Sequence, residues 1–391
     1  MLNIRTYNAI SPKGLDRFPK DKYQVSDQES GASAIMLRSH KLSTDEITES
    51  VTAIGRAGAG TNNVPVAYCT EKGIPVFNAP GANANAVKEL VLTGMLLSCR
   101  GITNGIDYVN SLTEMTDPAE MAKHLEGEKK RFKGDEIVGK TLGVVGLGAI
   151  GSLVADMALS LGMKVIGYDP ALSVDAAWRL SSQITKMENL PSLFAKADFV
   201  TLHLPVLDST RHLINADVLG SAKKGLRLLN FAREEIVDES AVISALDKEQ
   251  LGRFITDFPT PALINRADVI PMPHIGASTK EAEDNCAIMI ADQLQDFLEN
   301  GNIKNSVNFP LTILDRAAGT VRLAIANQNI PNTLSSILSL LGDNGINVLD
   351  MINKSREDIA YNLIDIAEVP SQEVIAAIQD QAGVINIRVI G

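Results

Sequence analysis

The sequence predicts an α/β chain of more than one domain, on three observations. A short β-branched segment, Thr141–Val145, runs straight into Gly146-Leu147-Gly148-Ala149-Ile150-Gly151 and then into an amphipathic stretch. Apolar strand candidates alternate with helical stretches from there to about residue 271, the order that builds a mainly parallel sheet. The stretch from Val321 to Ile390 instead reads strand, helix, strand, strand, helix, strand, the order of an antiparallel sheet with helices on one face. A chain of 391 residues with 45% hydrophobic residues can fill two or three cores.

Taken in order, residues 2–77 give strands over 3–7, 34–37, 51–55 and 75–77 with helices between them, a small α/β unit. A long helix follows over 83–99, with Val87, Leu90, Val91, Met95 and Leu96 on one side; such a helix can cross between domains. After the Thr141–Val145 strand, Ile150, Leu153, Val154, Met157, Ala158 and Leu161 recur three and four apart, so the helix has one apolar face to lay on a sheet. Gly162 ends it. A second strand, Lys164–Tyr168, leads to Asp169. Strands over 198–203, 226–230, 252–257 and 268–271 and a helix over 239–248 continue the alternation, and a helix over 279–300 can cross back.

The glycine turn carries the strongest chemical signal. Gly146 lets the chain turn sharply, Gly148 removes a side chain where a pyrophosphate must approach the backbone, and Gly151 lets helix and strand pack closely. The phosphates then meet free N–H groups around Ala149 and Ile150 at the helix start. A carboxylate at Asp169 can accept hydrogen bonds from the adenosine ribose and repels a 2′-phosphate, which favours NAD over NADP. In a parallel sheet the ligand lies beyond the carboxyl ends of the strands, which directs attention to residues 230–233, 257–261 and His274.

Composition narrows the alternatives. A formal net charge of −11 without a run of basic residues argues against a nucleic-acid surface, and an anionic substrate must be held by a few placed cations. Cys69, Cys99 and Cys286 form no Cys-x-x-Cys pair, so buried free thiols in a reducing compartment are expected and no metal site is. The N-terminus lacks a secretory pattern and no window has the roughly 18 to 20 apolar residues of a membrane span. A cytoplasmic protein is expected.

Seven colinear stretches then carry a resemblance: IGRAGAGTNNVPV from Ile54, VFNAPGANANAVKEL from Val76, VGLGAIG with YDP, TLHLP from Thr201, LNFAREEIVDE from Leu229, TDFP from Thr256 and PHIGASTKEAEDN from Pro273. Together they resemble the D-isomer-specific 2-hydroxyacid dehydrogenases, most closely the branch acting on 3-phosphoglycerate in serine biosynthesis, and the tail looks like an ACT domain. The resemblance implies a Rossmann-type NAD domain inserted in a smaller flavodoxin-like substrate domain, followed by a βαββαβ ACT domain. The expected boundaries are 1–95 for the first part of the substrate domain, 96–280 for the NAD domain, 281–312 for the crossover helix and return, and 318–391 for the ACT domain. It also implies NAD-dependent oxidation of 3-phospho-D-glycerate to 3-phosphohydroxypyruvate by a homodimer or homotetramer, with neither nucleic acid nor membrane as partner.

Oxidising a secondary alcohol needs a base at the hydroxyl, a cation on the carboxylate and the nicotinamide within hydride reach. His274, in a Pro-His-Ile-Gly turn after a strand, is the expected base, and Arg233 the guanidinium that grips the carboxylate. By resemblance Asp257 contacts the nicotinamide carboxamide, His203 and Pro205 pack near the adenine, and Ala232 and Gly276 line the cofactor. Arg38 and Ser39 meet the substrate's phosphate or carboxylate, with Ala59, Gly60 and Asn83 beside it. One departure stands out: the family places a Glu shortly after Asp257 to pair with the histidine, and here the run is Phe258-Pro259-Thr260-Pro261-Ala262. Losing that partner should weaken reduction at alkaline pH first.

In the tail, Asn327, Asn329 and Asn347 correspond to the residues with which serine-sensing relatives bind serine. Asn332 stands where a glycine is usual and Asn327 where a His is common. Two other functions compete with the first: a dehydrogenase for another D-2-hydroxy acid, and a non-catalytic NAD-binding regulator.

Overall fold

The computed structural model describes residues 1–28 and 31–391. These form two compact units, Met1–Asn83 with Thr279–Gly391, and Ala84–Ser278.

The first unit opens with five strands, β1 (Leu2–Tyr7), β2 (Tyr23–Ser26), β3 (Ala34–Leu37), β4 (Ala53–Arg56) and β5 (Val76–Phe77). They join in the order β2-β1-β3-β4-β5, every pair parallel. β2 is absent from the sequence expectation because it is short, carries Gln24 and Ser26, and is set by pairing with β1 at the sheet edge. Alternation sorts the side chains. Ile35, Leu37, Ile54 and Val76 share a core with Val64 and Cys69. Ile4, Met36 and Phe77 instead share one with Ile290, Leu294 and Phe297 of the helix Lys280–Asn300. That helix lies close because Gly55 and Gly14 face it: a Cβ on either would overlap Ile290 or Ala287.

The second unit is a seven-stranded parallel sheet, β6 (Thr141–Val145), β7 (Lys164–Tyr168), β8 (Thr185–Lys186), β9 (Phe199–Leu202), β10 (Leu226–Asn230), β11 (Leu251–Thr256) and β12 (Val269–Pro271), ordered β12-β11-β10-β9-β6-β7-β8. The chain runs outward from β6 in both directions, so β6 and β9 flank the point where strand order reverses. Leu193, Phe194, Leu228 and Val242 fill one core; Val91, Met95, Val144, Val154, Leu229 and Ile255 fill another. The helix Ala84–Cys99 belongs wholly to this unit, because Val87, Val91 and Met95 lie in that second core and Gly94 brings the helix against Ile255 and Phe231. The unit therefore begins at Ala84, inside the span that the sequence assigns to the first domain. Helices Ile102–Ser111 and Pro118–Glu128 follow. The second has a legible start: Asp117 accepts from the Ala119 amide at 2.7 Å, with Pro118 in the first turn, a standard N-cap.

Back in the first unit, β13 (Val321–Gln328), β14 (Val348–Arg356), β15 (Ile359–Ile366) and β16 (Val384–Ile390) make an antiparallel sheet in the order β14-β15-β13-β16. This is the expected βαββαβ arrangement. Helices Thr333–Asp343 and Gln372–Gln379 cover one face through Ile337, Leu341 and Ile378 on Leu323, Ile325 and Ile364. The other face does not belong to a separate appendage. Ala324, Ala326, Tyr361 and Leu363 share the core of Phe297, Leu298 and Phe309.

Polar groups from the same sheet cap the end of the Lys280–Asn300 helix. The fully buried Arg322 donates to Asp365 through Nε at 2.6 Å and Nη2 at 2.8 Å. Its Nη1 donates to the carbonyls of Asn300 and Leu314. Arg388 donates to the Leu298 carbonyl at 3.1 Å and the Tyr361 hydroxyl to that of Gly301 at 2.8 Å. The last carbonyls of a helix have no partner within it, and here side chains of the tail supply one. Among the described residues no helix is long and apolar enough to cross a membrane, and Cys69, Cys99 and Cys286 are buried thiols outside any disulfide.

Candidate active site

The glycine turn joins β6 to the helix Ala149–Ser160 at the strand-order reversal. Gly146 has φ +88°, and a Cβ there would lie 2.5 Å from the His203 carbonyl oxygen at the end of β9. A Cβ on Gly151 would overlap the Gly146 carbonyl oxygen. Both glycines are thus required by the protein's own packing. Gly148 is different: a Cβ there meets nothing within 4 Å, so the protein's own packing does not require a glycine at this position. This fits a bound pyrophosphate on the amides of Ala149 and Ile150. Asp169 braces the turn, its Oδ2 accepting from the Leu147 amide at 2.9 Å and its Oδ1 from Ala171 at 3.0 Å. These residues suit a dinucleotide. His203 has Nε2 2.9 Å from the Thr201 hydroxyl. Burial pushes its pKa down to about 3, so the ring beside the turn is neutral. Pro205 is exposed in the loop after it.

Three loops on the same edge of the sheet are tied by hydrogen bonds. Asn230, at the end of β10, donates from Nδ2 to the Arg233 carbonyl at 2.8 Å, accepts from the Ala232 amide at 3.1 Å, and its carbonyl accepts from the Asp257 amide at 3.1 Å. The Asp257 carboxylate, 2% exposed, accepts from the Ile275 amide at 2.8 Å and the Gly276 amide at 2.7 Å. Arg233 and His274 are therefore linked through Asn230 and Asp257. The Arg233 guanidinium donates to the Ala232 carbonyl at 2.6 Å, and no carboxylate among the described residues lies within ion-pair distance of it.

His274 is exposed, with φ +55°, a backbone state that costs a non-glycine residue energy; the two Asp257 bonds hold the next two residues and thereby the turn. Asp257 braces those amides and, among the described residues, makes no hydrogen bond to the His274 ring. The nearest ring to His274 is that of Phe258, centroids 4.7 Å apart.

In the first unit, the ends of β3 and β4 carry the expected substrate residues. Asn8 accepts from the Ser39 amide at 3.1 Å and from the His40 amide at 2.5 Å, which sets the loop. Arg38 pairs through Nη2 with Glu283 at 2.8 Å; Glu283 lies in the first turn of the Lys280–Asn300 helix. His40 stacks on Tyr7 with ring centroids 4.3 Å apart and lies 3.0 Å from Glu46. Burial raises the Glu46 pKa, but the Ser43 amide, His40 and the Ser43 hydroxyl outweigh it and hold the carboxyl down at about 2. The Ala59 carbonyl accepts from Asn78 at 2.6 Å, with Gly60 next to it. Asn83 keeps a buried side-chain oxygen without a hydrogen-bond partner. Asn85 bonds Glu89 and Lys88 along the surface of the helix.

The tail asparagines are largely occupied. Asn327 donates to the Gln328 carbonyl at 2.7 Å and accepts from Asn362 at 2.7 Å, and Asn362 accepts in turn from Asn353. Asn329 donates to the Glu357 carbonyl at 3.1 Å, whereas Asn347 is exposed ahead of β14. Asn332, at φ +71°, takes the left-handed state that a glycine would.

Residues 106–276 match the family model described as D-isomer specific 2-hydroxyacid dehydrogenase, NAD binding domain. A D-3-phosphoglycerate dehydrogenase of Haemophilus influenzae is 31% identical over 99% of this chain and 94% of its own length. One from Synechocystis is 37% identical over 71% of this chain and 49% of its own; the chain spans about half the length of several curated relatives that it matches. Among solved structures, NAD+-bound 3-phosphoglycerate dehydrogenase of Entamoeba histolytica aligns with a TM-score of 0.62 and 26% identity, covering 80% of this chain and 99% of that one.

Proposed function

We propose that this chain, which belongs to the D-isomer-specific 2-hydroxyacid dehydrogenase family, oxidises 3-phospho-D-glycerate to 3-phosphohydroxypyruvate with NAD, the first step of phosphorylated L-serine biosynthesis. The observation that supports the reading is the hydrogen-bonded chain Arg233, Asn230, Asp257, Gly276, which ties the loops of Arg233 and His274 together on the sheet edge that bears the glycine turn.

Arg233, held extended at the end of β10 and without a carboxylate of its own, pairs with the substrate carboxylate and polarises the carbonyl that forms. His274 takes the hydroxyl proton as the carbon–oxygen double bond forms. NAD, held with its phosphates at the Gly146–Gly151 turn, would supply the hydride acceptor. Asp257 keeps the His274 turn in its strained form. Arg38 takes the phosphate, exchanging Glu283 for it. Asp169 favours a ribose with a free 2′-hydroxyl.

The substrate domain is read as the five-stranded portion of the first unit and the NAD domain as the second unit. The βαββαβ sheet is read as an ACT module. The exposed Ile106 and Val109, beside a cavity of about 710 Å³ lined by Gly101, Gly105 and Phe132, supply an apolar face for a homodimer. A reducing cytoplasm suits the three buried thiols.

The test is turnover of phosphohydroxypyruvate with NADH by the purified chain, alongside His274→Ala. Activity lost in the variant with NADH affinity intact supports the assignment. Absence of turnover with NADH still bound favours a non-catalytic nucleotide-binding regulator, and turnover of other D-2-hydroxy acids in preference moves the substrate. L-Serine in the same assay tests the tail.

A further inference from the structure

Along the outer side of the Lys280–Asn300 helix, within the first unit, runs a cavity of about 590 Å³ that none of the proposed chemistry uses. Its lining includes Asp292, Gln293 and Asp296 from the helix and Lys304 from the segment after it, with Ile288 and Met289 supplying an apolar wall. Four features define what it accepts. Gln293 is 7% exposed; its Nε2 donates to the Asn78 carbonyl at 3.3 Å, and its Oε1 is buried without a hydrogen-bond partner. An acceptor so placed is costly unless a donor reaches it. Asp296 accepts from Asn300 at 2.9 Å and Asn302 at 3.0 Å, both on Oδ1. No cation among the described residues pairs with it. Asp292 has Oδ1 on Arg17 at 2.6 Å, which leaves Oδ2 over. Lys304 is exposed and, among the described residues, has no carboxylate within ion-pair distance.

We infer that this cavity binds a small zwitterion bearing an ammonium and a carboxylate, that is, a free amino acid. The ammonium has three donors, and the cavity offers three uncommitted acceptors in the Gln293 Oε1 and the second oxygens of Asp296 and Asp292. The carboxylate goes to Lys304, and a side chain lies against Ile288 and Met289. An amine alone leaves Lys304 unmatched, and an anion alone meets two carboxylates.

The experiment titrates the full chain with each of the twenty L-amino acids, ethylamine and propionate, read by thermal shift and calorimetry, without reference to turnover, so it stands apart from the proposed activity. Asp296→Asn keeps the acceptor used by Asn300 and Asn302 while removing the charge, and Lys304→Met changes an exposed side chain, so both variants fold. At least one amino acid is expected to bind saturably and raise Tm, with affinity reduced at least tenfold in each variant and with neither ethylamine nor propionate reproducing the shift. Absence of any shift at 10 mM overturns the inference. So does binding that both variants retain, which places the ligand elsewhere, or ethylamine binding as tightly as the amino acids.

Discussion

Replacing Gly148 with Ala separates what the protein needs from what its ligand needs. Gly148 has φ −69° and ψ −159°, which alanine adopts freely, and the added methyl meets no protein atom within 4 Å. The entropy gained by restricting the unfolded chain, about 0.4–1 kcal/mol, is offset by the poorer helix cap that alanine makes. Stability should therefore stay within about 1 kcal/mol of wild type, a Tm change of only a few degrees. The pyrophosphate, in contrast, must come against this Cα to reach the amides that follow it. A methyl in the way costs one charge-assisted hydrogen bond, about 1.5–3 kcal/mol, or roughly 10- to 100-fold in affinity. The assay is NADH titration by fluorescence, paired with thermal unfolding of the same samples. NADH affinity within twofold of wild type, at unchanged Tm, would refute the idea that phosphates approach at Gly148. Gly151→Ala is the control in the opposite sense: its methyl overlaps the Gly146 carbonyl oxygen, so it should lose stability by about 1–3 kcal/mol through overpacking even without nucleotide.

Asp257→Asn should lower kcat by about 10- to 100-fold, because the amide it introduces can accept from only one of the Ile275 and Gly276 amides, each such bond being worth about 1.5–3 kcal/mol; steady-state kinetics with NADH affinity measured in parallel checks it, and wild-type kcat would show that the brace is dispensable. Asp365→Asn should destabilise the fold by about 3–5 kcal/mol, since it leaves the buried Arg322 charge without its counterion, read as a shift in the denaturant midpoint. Glu46→Gln should reduce stability near neutral pH by about 1–2 kcal/mol after allowance for solvent screening at this partly exposed site. Because the folded carboxyl sits at about 2 and the unfolded one near ~4.3, the difference is full above the unfolded value and fades as pH falls toward 2; a penalty that persisted at pH 2 would contradict the ion-pair origin.

Most strands could be read from the sequence because their patterns are local. β3, β6, β7 and β10 have the expected bounds, being short runs rich in apolar residues. The helices Ile102–Ser111 and Pro118–Glu128 escaped because neither buries an apolar stripe; no residue of either is buried. At the site, glycine spacing and strand ends directed attention to loops that the structure places on one edge of the sheet, since both follow from backbone geometry. What Asp257, Arg38 and Asn327 bond to was not legible, because Ile275, Glu283 and Asn362 reach them only through the folded sheet. The sequence also says that no acid follows Asp257, but only packing shows that an aromatic ring lies beside the histidine instead.

The helix Lys280–Asn300 links the two ends of its unit mechanically. At its start Glu283 holds Arg38 and Asp284 meets Ser11 and Lys13; at its finish three side chains of the C-terminal sheet close its open carbonyls. A protein shortened after Pro310 would keep every residue assigned to chemistry, yet it would strand those carbonyls and uncover Phe297 and Leu298. The injury of such a truncation would be a loosened rod under the loop that carries Arg38. Point changes on the sheet surface are the cleaner way to ask what the tail does.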